Sequence, residues 1–365
     1  MSTKKSPKQK TGRTAVKAYG VKNENEDINP ISITRRPLFP NDIQIDLKFC
    51  GICHTDIHHV YNEWKDSIYP MVPGHEMVGL VSHVGSAVKE FKVSDRVAVG
   101  NLVNSCRKCE ACKQSREQYC SNGGVSYVYN GTDRYPGELL PSGERTYGGY
   151  SKMIVVDKDF VIRLPDKLKF EEATPLLCAG ITVFSAIQQN EVKGKTVAIA
   201  GIGGLGHLAI KFAKALGATV IAFTTTEWKI KDAKRLGADD VVFSPDQHDM
   251  KRYVGKINLI IDTIPQPHKY DPYLDLLKMD GTLWVLGTME NVPDFNAKRI
   301  IAKNTKIAGS NVGGIKETWE MLNFCAKHNI VSDVEIAKAK DIQDCFDKIR
   351  ENKVKYRYVI DLSTI

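Results

Sequence analysis

The sequence predicts an α/β protein in two parts, a mostly-β segment followed by a doubly wound sheet of parallel strands. Residues 14–165 read as short strands and turns. Their β-branched runs, such as 43–47 and 78–84, are broken by Gly and Pro, and helical periodicity is scarce. From Lys195 onward the texture changes, and short, continuously apolar runs alternate with helix-length amphipathic stretches. That alternation is what a parallel sheet covered on both faces requires. With 365 residues, the chain also exceeds the size at which one hydrophobic core usually stops growing, so two domains are expected.

The expected strands of the second part are 196–200, 219–223, 240–243, 258–263, 282–286 and 306–308. Six such runs match a doubly wound, Rossmann-type dinucleotide fold. Beyond Gly314 the spacing predicts helices over 316–328 and 342–351 and a last strand over 357–362. At the other end, residues 1–15 read as a basic, disordered tail. Residues 1–17 carry six Lys/Arg and no acid, so the net charge of +8 falls to +2 once they are set aside. A folded basic face for nucleic acid is therefore not expected.

Hydrophobic content of 42% and charged content of 26% are those of an ordinary globular protein. No run approaches 18 consecutive apolar residues, so no membrane span is expected. The N-terminus lacks the apolar centre of a secretory signal. Nine cysteines, an odd number and partly clustered, favour metal binding in a reducing compartment over disulfides. A cytoplasmic location follows as an expectation.

Between the run 196–200 and the amphipathic stretch 205–216 stands Gly201-Ile-Gly203-Gly204-Leu205-Gly206. In that setting the first glycine permits a tight turn, the second lets backbone approach a pyrophosphate, and the third lets helix and strand pack closely. The N–H groups and dipole of the following helix then suit phosphate. An NAD site would place Asp or Glu at the end of the next strand, about 20 residues further on, against the ribose 2′-hydroxyl. Here that strand ends in Phe223, Thr224 and Thr225, and Glu227 comes late. Hydroxyls with Lys229 suit a 2′-phosphate, which predicts NADP(H). The plainer reading leaves Lys229 and Lys231 as solvated helix lysines.

Cys106, Cys109, Cys112 and Cys120 stand in CRKCEACKQSREQYC. Four thiolates so spaced can share one tetrahedral Zn²⁺, which closes the site to substrate and makes it structural. Disulfides, or an iron–sulfur cluster, are the competing readings. Cys53, His75 and Cys178 form a second candidate set, of the Cys₂His type that leaves a position for substrate. Taken singly each has a plainer role, Cys178 as a buried apolar residue and His75 as a histidine in a surface turn.

Six segments together resemble one family: CGICHTDIHH from Cys50, PGHEMVGLVSHVG from Pro73, the four-cysteine run, LLCAGITVFSA from Leu176, AGIGGLGHLAIKFAKALGA from Ala200 and GSNVGGIKETWEMLNFC from Gly309. They are similar to the zinc-dependent medium-chain alcohol dehydrogenases, and among these to the cinnamyl-alcohol-dehydrogenase-like aldehyde reductases. The likeness runs from about Val16 to the C-terminus.

That resemblance implies a GroES-like catalytic domain over 16–178, completed by 316–365, and a Rossmann domain over 179–315. It implies that Cys53, His75 and Cys178 hold a catalytic zinc and the four-cysteine run a structural one, two per subunit. Glu76 would stand beside the catalytic ion, and Asp56 would orient a liganding imidazole. Thr55 takes the place of the proton-donating hydroxyl and His58 that of the next relay member, while His54 and His59 match no ligand. Thr182 and Ser310 stand where relatives contact the nicotinamide. The implied reaction is reversible reduction of an aldehyde to a primary alcohol with NADPH. A homodimer is also implied, with an apolar strand near 282–286 as its edge. The alternatives are a polyol or secondary-alcohol dehydrogenase of the same superfamily, and a catalytically idle protein that binds zinc and NADPH as a structural module.

Overall fold

The computed structural model describes residues 12–122, 124–132, 134–135, 138–139, 145–287, 291–292 and 294–365. Of the expected basic tail, residues 1–11 lie outside these. Thr14 and Ala15 belong not to a tail but to the strand Thr14–Gly20, which pairs antiparallel with Asn29–Arg35. The alternation there turns Val16 and Ala18 into the core, which is enough to order the segment.

The chain divides into two compact units. One contains the residues up to Cys178 together with Gly314–Ala326 and Val331–Ile365; the other contains Ala179–Gly313 with Lys327–Ile330. The first unit is built on the strand Asp42–Gly51, most of whose residues are buried. It pairs antiparallel with Met77–Val84, Met153–Asp157 and the C-terminal strand Arg357–Asp361. Arg357–Asp361 in turn pairs in parallel with Val334–Lys338. A strand more than 300 positions downstream thus closes the sheet beside Cys50 and Gly51. The core of this unit gathers Ile43, Ile45, Met77, Tyr150, Phe160 and Phe346, each almost wholly removed from water. Burying a side chain of that size contributes roughly 1.5–3 kcal/mol.

The second unit holds a six-stranded sheet in the order Asp240–Phe243, Thr219–Thr224, Thr196–Ala200, Ile257–Asp262, Leu277–Val285, Lys306–Gly309. All five pairings are parallel. In chain order this is 3-2-1-4-5-6, so the sequence turns back at Thr196–Ala200, the place where an open α/β sheet receives its ligand. The two central strands, Thr196–Ala200 and Ile257–Asp262, are buried along nearly all their length, as two covered faces require. The segment near 282–286 is interior, with neighbours on both sides, which corrects its expected role as an edge. The outermost strand on that side is Lys306–Gly309, where Lys306 and Gly309 are exposed. Apolar content misplaced the edge because in a parallel sheet it marks burial on the faces, which interior strands have most fully.

Candidate metal centres and cofactor loop

Cys53 caps the helix His54–Val60, and its backbone N–H donates to Asp56 Oδ2 at 3.0 Å. Gly74 takes φ +99 in the turn before Met77–Val84, a conformation that a Cβ disfavours. A side chain there would also meet the Tyr150 ring at 2.5 Å. In that turn the Gly74 N–H donates to Asp56 Oδ1 at 2.9 Å, and His75 Nδ1 lies 3.1 Å from the same oxygen. Tyr150 completes the set, its hydroxyl donating to Asp56 Oδ2 at 3.1 Å. One wholly buried carboxylate therefore ties the Cys53 loop, the Gly74 turn and the His75 ring together. With Nδ1 engaged by Asp56, the Nε2 lone pair of His75 is left to act as a ligand.

Cys178 ends the short helical turn Thr174–Leu177, and its Sγ stands 4.0 Å from Cys53 Sγ. The donor atoms of Cys53, His75, Glu76 and Cys178 all lie within 4.8 Å of one another, and all four residues are buried. Two thiolates about 2.3 Å from a common tetrahedral ion would stand about 3.8 Å apart, so this donor set fits zinc. Glu76 faces the same place. Its Oε1 accepts from Arg357 Nη2 in a buried ion pair, while Oε2 has no partner among the described residues.

The charges are arranged accordingly. Burial pushes the Glu76 carboxyl up to about 7, and the Arg357 guanidinium works against that rise. Burial also opposes an imidazolium at His75, but the Asp56 carboxylate outweighs it and raises the ring's pKa. Cys53 is drawn down by its hydrogen bond with Cys178, which is driven up in turn.

Thr55 is half-buried on the first turn of the same helix, its Oγ1 3.7 Å from Cys53 Sγ. His58, one turn on, pairs through Nδ1 with Glu63 and stacks on Trp64 with ring centroids 4.8 Å apart. His54 is half-buried and burial lowers its pKa. His59 packs edge-on against Trp64 and Tyr129, at 4.9 and 5.5 Å. Three residues of this centre escaped sequence reasoning, namely Arg357, Tyr150 and Tyr129. Gly149-Tyr150, which follows a glycine, carries no motif that would have marked the tyrosine.

In the four-cysteine lobe the donor atoms of Cys106, Cys109, Cys112 and Cys120 again lie within 4.8 Å of one another. Backbone N–H groups of Lys108 and Cys109 point at Cys106 Sγ, at 3.5 and 3.3 Å, and that of Cys106 at Cys120 Sγ, at 3.4 Å. Amides so directed stabilise thiolates. Cys109 is lowered to about 5, chiefly by the backbone N–H of Cys112. All four cysteines are free of disulfides. A cluster would hold its thiolates on separate irons and so farther apart; this grouping fits a single tetrahedral ion such as zinc.

In the second unit the fingerprint loop joins Thr196–Ala200 to the helix Gly206–Ala215. Gly201 has φ +85, a Cβ on Gly206 would stand 2.0 Å from Gly201 O, and one on Gly203 would meet nothing within 4 Å. The first and third glycines thus serve the fold, and the second leaves a cradle that any side chain would fill. Gly204 and Leu205 complete the loop. Thr224 is buried at the end of its strand, its Oγ1 accepting from Thr226 N at 3.1 Å, and Thr225 is exposed. Lys229 is half-buried with its ammonium over the Trp228 ring, and burial lowers its pKa. Lys231, by contrast, is exposed. Thr182 is buried on the helix Ala179–Gln188, and Ser310 Oγ accepts from Trp284 Nε1 at 3.0 Å.

Comparison with known proteins agrees in both units. Residues 39–166 match the alcohol dehydrogenase GroES-like domain, and residues 204–327 match the zinc-binding dehydrogenase domain. The chain is 42% identical to NADP-dependent alcohol dehydrogenase C 1 of Mycolicibacterium smegmatis, over 96% of this chain and 99% of that one. It is 43% identical to the aldehyde reductase YahK of Escherichia coli, with 96% and 99% covered. The solved cinnamyl alcohol dehydrogenase SbCAD4 of Sorghum bicolor superposes with a TM-score of 0.91 at 38% identity, over 96% of this chain and 98% of that one. By its domains, its fold and its relatives, the chain belongs to the zinc-dependent medium-chain alcohol dehydrogenases, in their cinnamyl-alcohol-dehydrogenase-like branch.

Proposed function

We propose that this enzyme reduces aldehydes to primary alcohols with NADPH, reversibly, at the Cys53–His75–Cys178 centre. The observation that carries the reading is the buried Cys₂His donor set backed by one saturated carboxylate. Zinc held by those three residues supplies a Lewis acid toward a carbonyl oxygen. NADPH supplies the hydride.

The chain's own residues do the rest. Asp56 fixes the His75 ring and its tautomer, so that Nε2 faces the ion. Glu76, paired with Arg357, keeps a carboxylate beside the ligands that can neutralise the ion when substrate is absent. Thr55, next to Cys53, delivers a proton to the reduced oxygen, and His58 passes it on toward solvent. A hydroxyl needs such a relay, because by itself it neither gives up nor regains a proton quickly near pH 7.

In the second unit Gly201, Gly203, Gly204, Leu205 and Gly206 receive the pyrophosphate, and Thr182 and Ser310 the nicotinamide half. Thr224, Thr225 and Lys229 receive the 2′-phosphate. Lys229 supports this last role because it has no acidic partner among the described residues and is partly withdrawn from water. Such an ammonium gains more from a phosphate than a fully solvated one does. A homodimer joined along Lys306–Gly309, and a cytoplasmic location, complete the proposal.

The test is kcat/KM for a panel of aromatic and aliphatic aldehydes with NADPH and with NADH. Turnover of aldehydes with NADPH preferred by at least tenfold is expected. Equal or better use of NADH would remove the role given to Lys229, and no turnover of any aldehyde would remove the reading itself.

A further inference from the structure

We propose that Trp228 is a specificity-determining residue for NADPH, its indole holding the Lys229 ammonium in place for the 2′-phosphate. This deepens the reading of Thr224, Thr225 and Lys229 given above and rests on it. Trp228 opens the helix Trp228–Leu236, just after the strand Thr219–Thr224. It is 52% exposed. An exposed indole alone would carry no inference, since single apolar side chains are common on protein surfaces. Here, however, Lys229 Nζ stands over the ring, 5.5 Å from its centroid. At that range a cation is attracted to an aromatic face, and tryptophan offers the strongest one.

Helix geometry does not supply this contact by itself. Successive helical residues point about 100° apart, so neighbours in sequence do not face each other. The acid that helix spacing does offer Lys229 is Asp232, three residues on. Arg235 engages that carboxylate instead, its Nε donating to Asp232 Oδ1 at 2.6 Å. Glu227, on the other side, is exposed. Burial alone acts on the Lys229 pKa, and no acid offsets it. The ammonium is thus half-buried on an aromatic face, without an anion among the described residues.

A 2′-phosphate supplies that anion. An ammonium carries three donors, so it can meet phosphate oxygens while one side stays on the ring. A lysine stem is otherwise free to wander, and ordering it on binding consumes part of the attraction. A lysine already held by the indole passes more of that attraction to the ligand. NADH has a hydroxyl at the same place and gains little from the held charge, so the indole widens the preference for NADPH. Trp228 is therefore a positioning residue that acts through Lys229.

Trp228→Leu tests this, because it keeps an apolar side chain on the helix and removes the aromatic face, whereas Trp228→Phe keeps a face. Calorimetry measures the affinities for 2′,5′-ADP and 5′-AMP, which differ only by the 2′-phosphate, in the parent chain and in a Lys229→Ala background. Trp228→Leu is expected to weaken 2′,5′-ADP about fivefold and leave 5′-AMP unchanged, with Trp228→Phe within about twofold of the parent. Without Lys229 the leucine substitution is expected to have no further effect. Equal weakening of both nucleotides, or an unchanged affinity for 2′,5′-ADP, would overturn the proposal. So would a loss in Trp228→Phe as large as in Trp228→Leu, or a loss that persists in the Lys229→Ala background. A parent chain that binds 2′,5′-ADP no better than 5′-AMP would remove the phosphate site itself, and this proposal with it.

Discussion

Asp56 accepts four hydrogen bonds with two oxygens, and its neighbours depend on all of them. An asparagine would keep one acceptor and turn an NH₂ group toward two donors. The Cys53 loop and the Gly74 turn would then lose their common anchor, and His75 its fixed tautomer. Asp56→Asn is expected to lower zinc affinity at this centre about 10- to 100-fold, the usual effect of losing a group that orients a ligand. Competition with a chelator measures it, and the four-cysteine site should hold its ion unchanged. Cys53, His75 and Cys178 were recognisable in the sequence because family motifs surround each one. Arg357 was not, since 281 positions separate it from Glu76 and only the closure of the sheet brings them together.

At the level of elements, hydrophobic rhythm located most of the second unit. Six continuous apolar runs became six parallel strands: Thr196–Ala200 and Asp240–Phe243 match end for end, three are shifted by one residue, and Leu277–Val285 starts well before its apolar run. What the rhythm missed had mixed or ambiguous character. Val334–Lys338 is a strand with Glu335 and Ile336 exposed, so no apolar face announces it. Ala179–Gln188 is a helix buried almost all round, which blurs the 3.6-residue period. Elements in this unit are also joined by charge. Asp240, at the start of Asp240–Phe243, accepts from Arg252 Nη1 at 2.7 Å and from the Tyr253 hydroxyl at 2.6 Å. Partial burial would raise its pKa, but those donors prevail and hold it at about 2.

That depression has a definite sign. The folded state holds the proton less tightly than the unfolded one, so the stabilisation is present above the unfolded pKa of about 4 and is lost as pH falls toward 2. Discounted for partial exposure, it amounts to about 1–2 kcal/mol. Asp240→Asn should therefore destabilise the protein at pH 7 by about that much and flatten the acid limb between pH 4 and 2. Urea unfolding across that range checks it, and an unaltered acid limb would assign the pair no energetic role.

On the scale of the molecule, one chain gathers two candidate sets of metal ligands of different kinds. The four-cysteine site is local: its four cysteines lie within 15 positions, and spacing alone groups them. The Cys53–His75–Cys178 centre spans 126 positions of sequence and exists only once the sheet around Asp42–Gly51 is assembled. Spacing therefore grouped the members of the first, whereas the second needed the resemblance to pair its members. The two sites also make the central claim divisible, because removing a ligand from one should leave the other filled. The decisive measurement is zinc content and NADPH-dependent aldehyde reduction for Cys53→Ala beside the parent chain. The account predicts about two zinc ions per chain falling to about one, with aldehyde reduction abolished and the fold retained. Two ions still bound, or substantial activity in the variant, would contradict it.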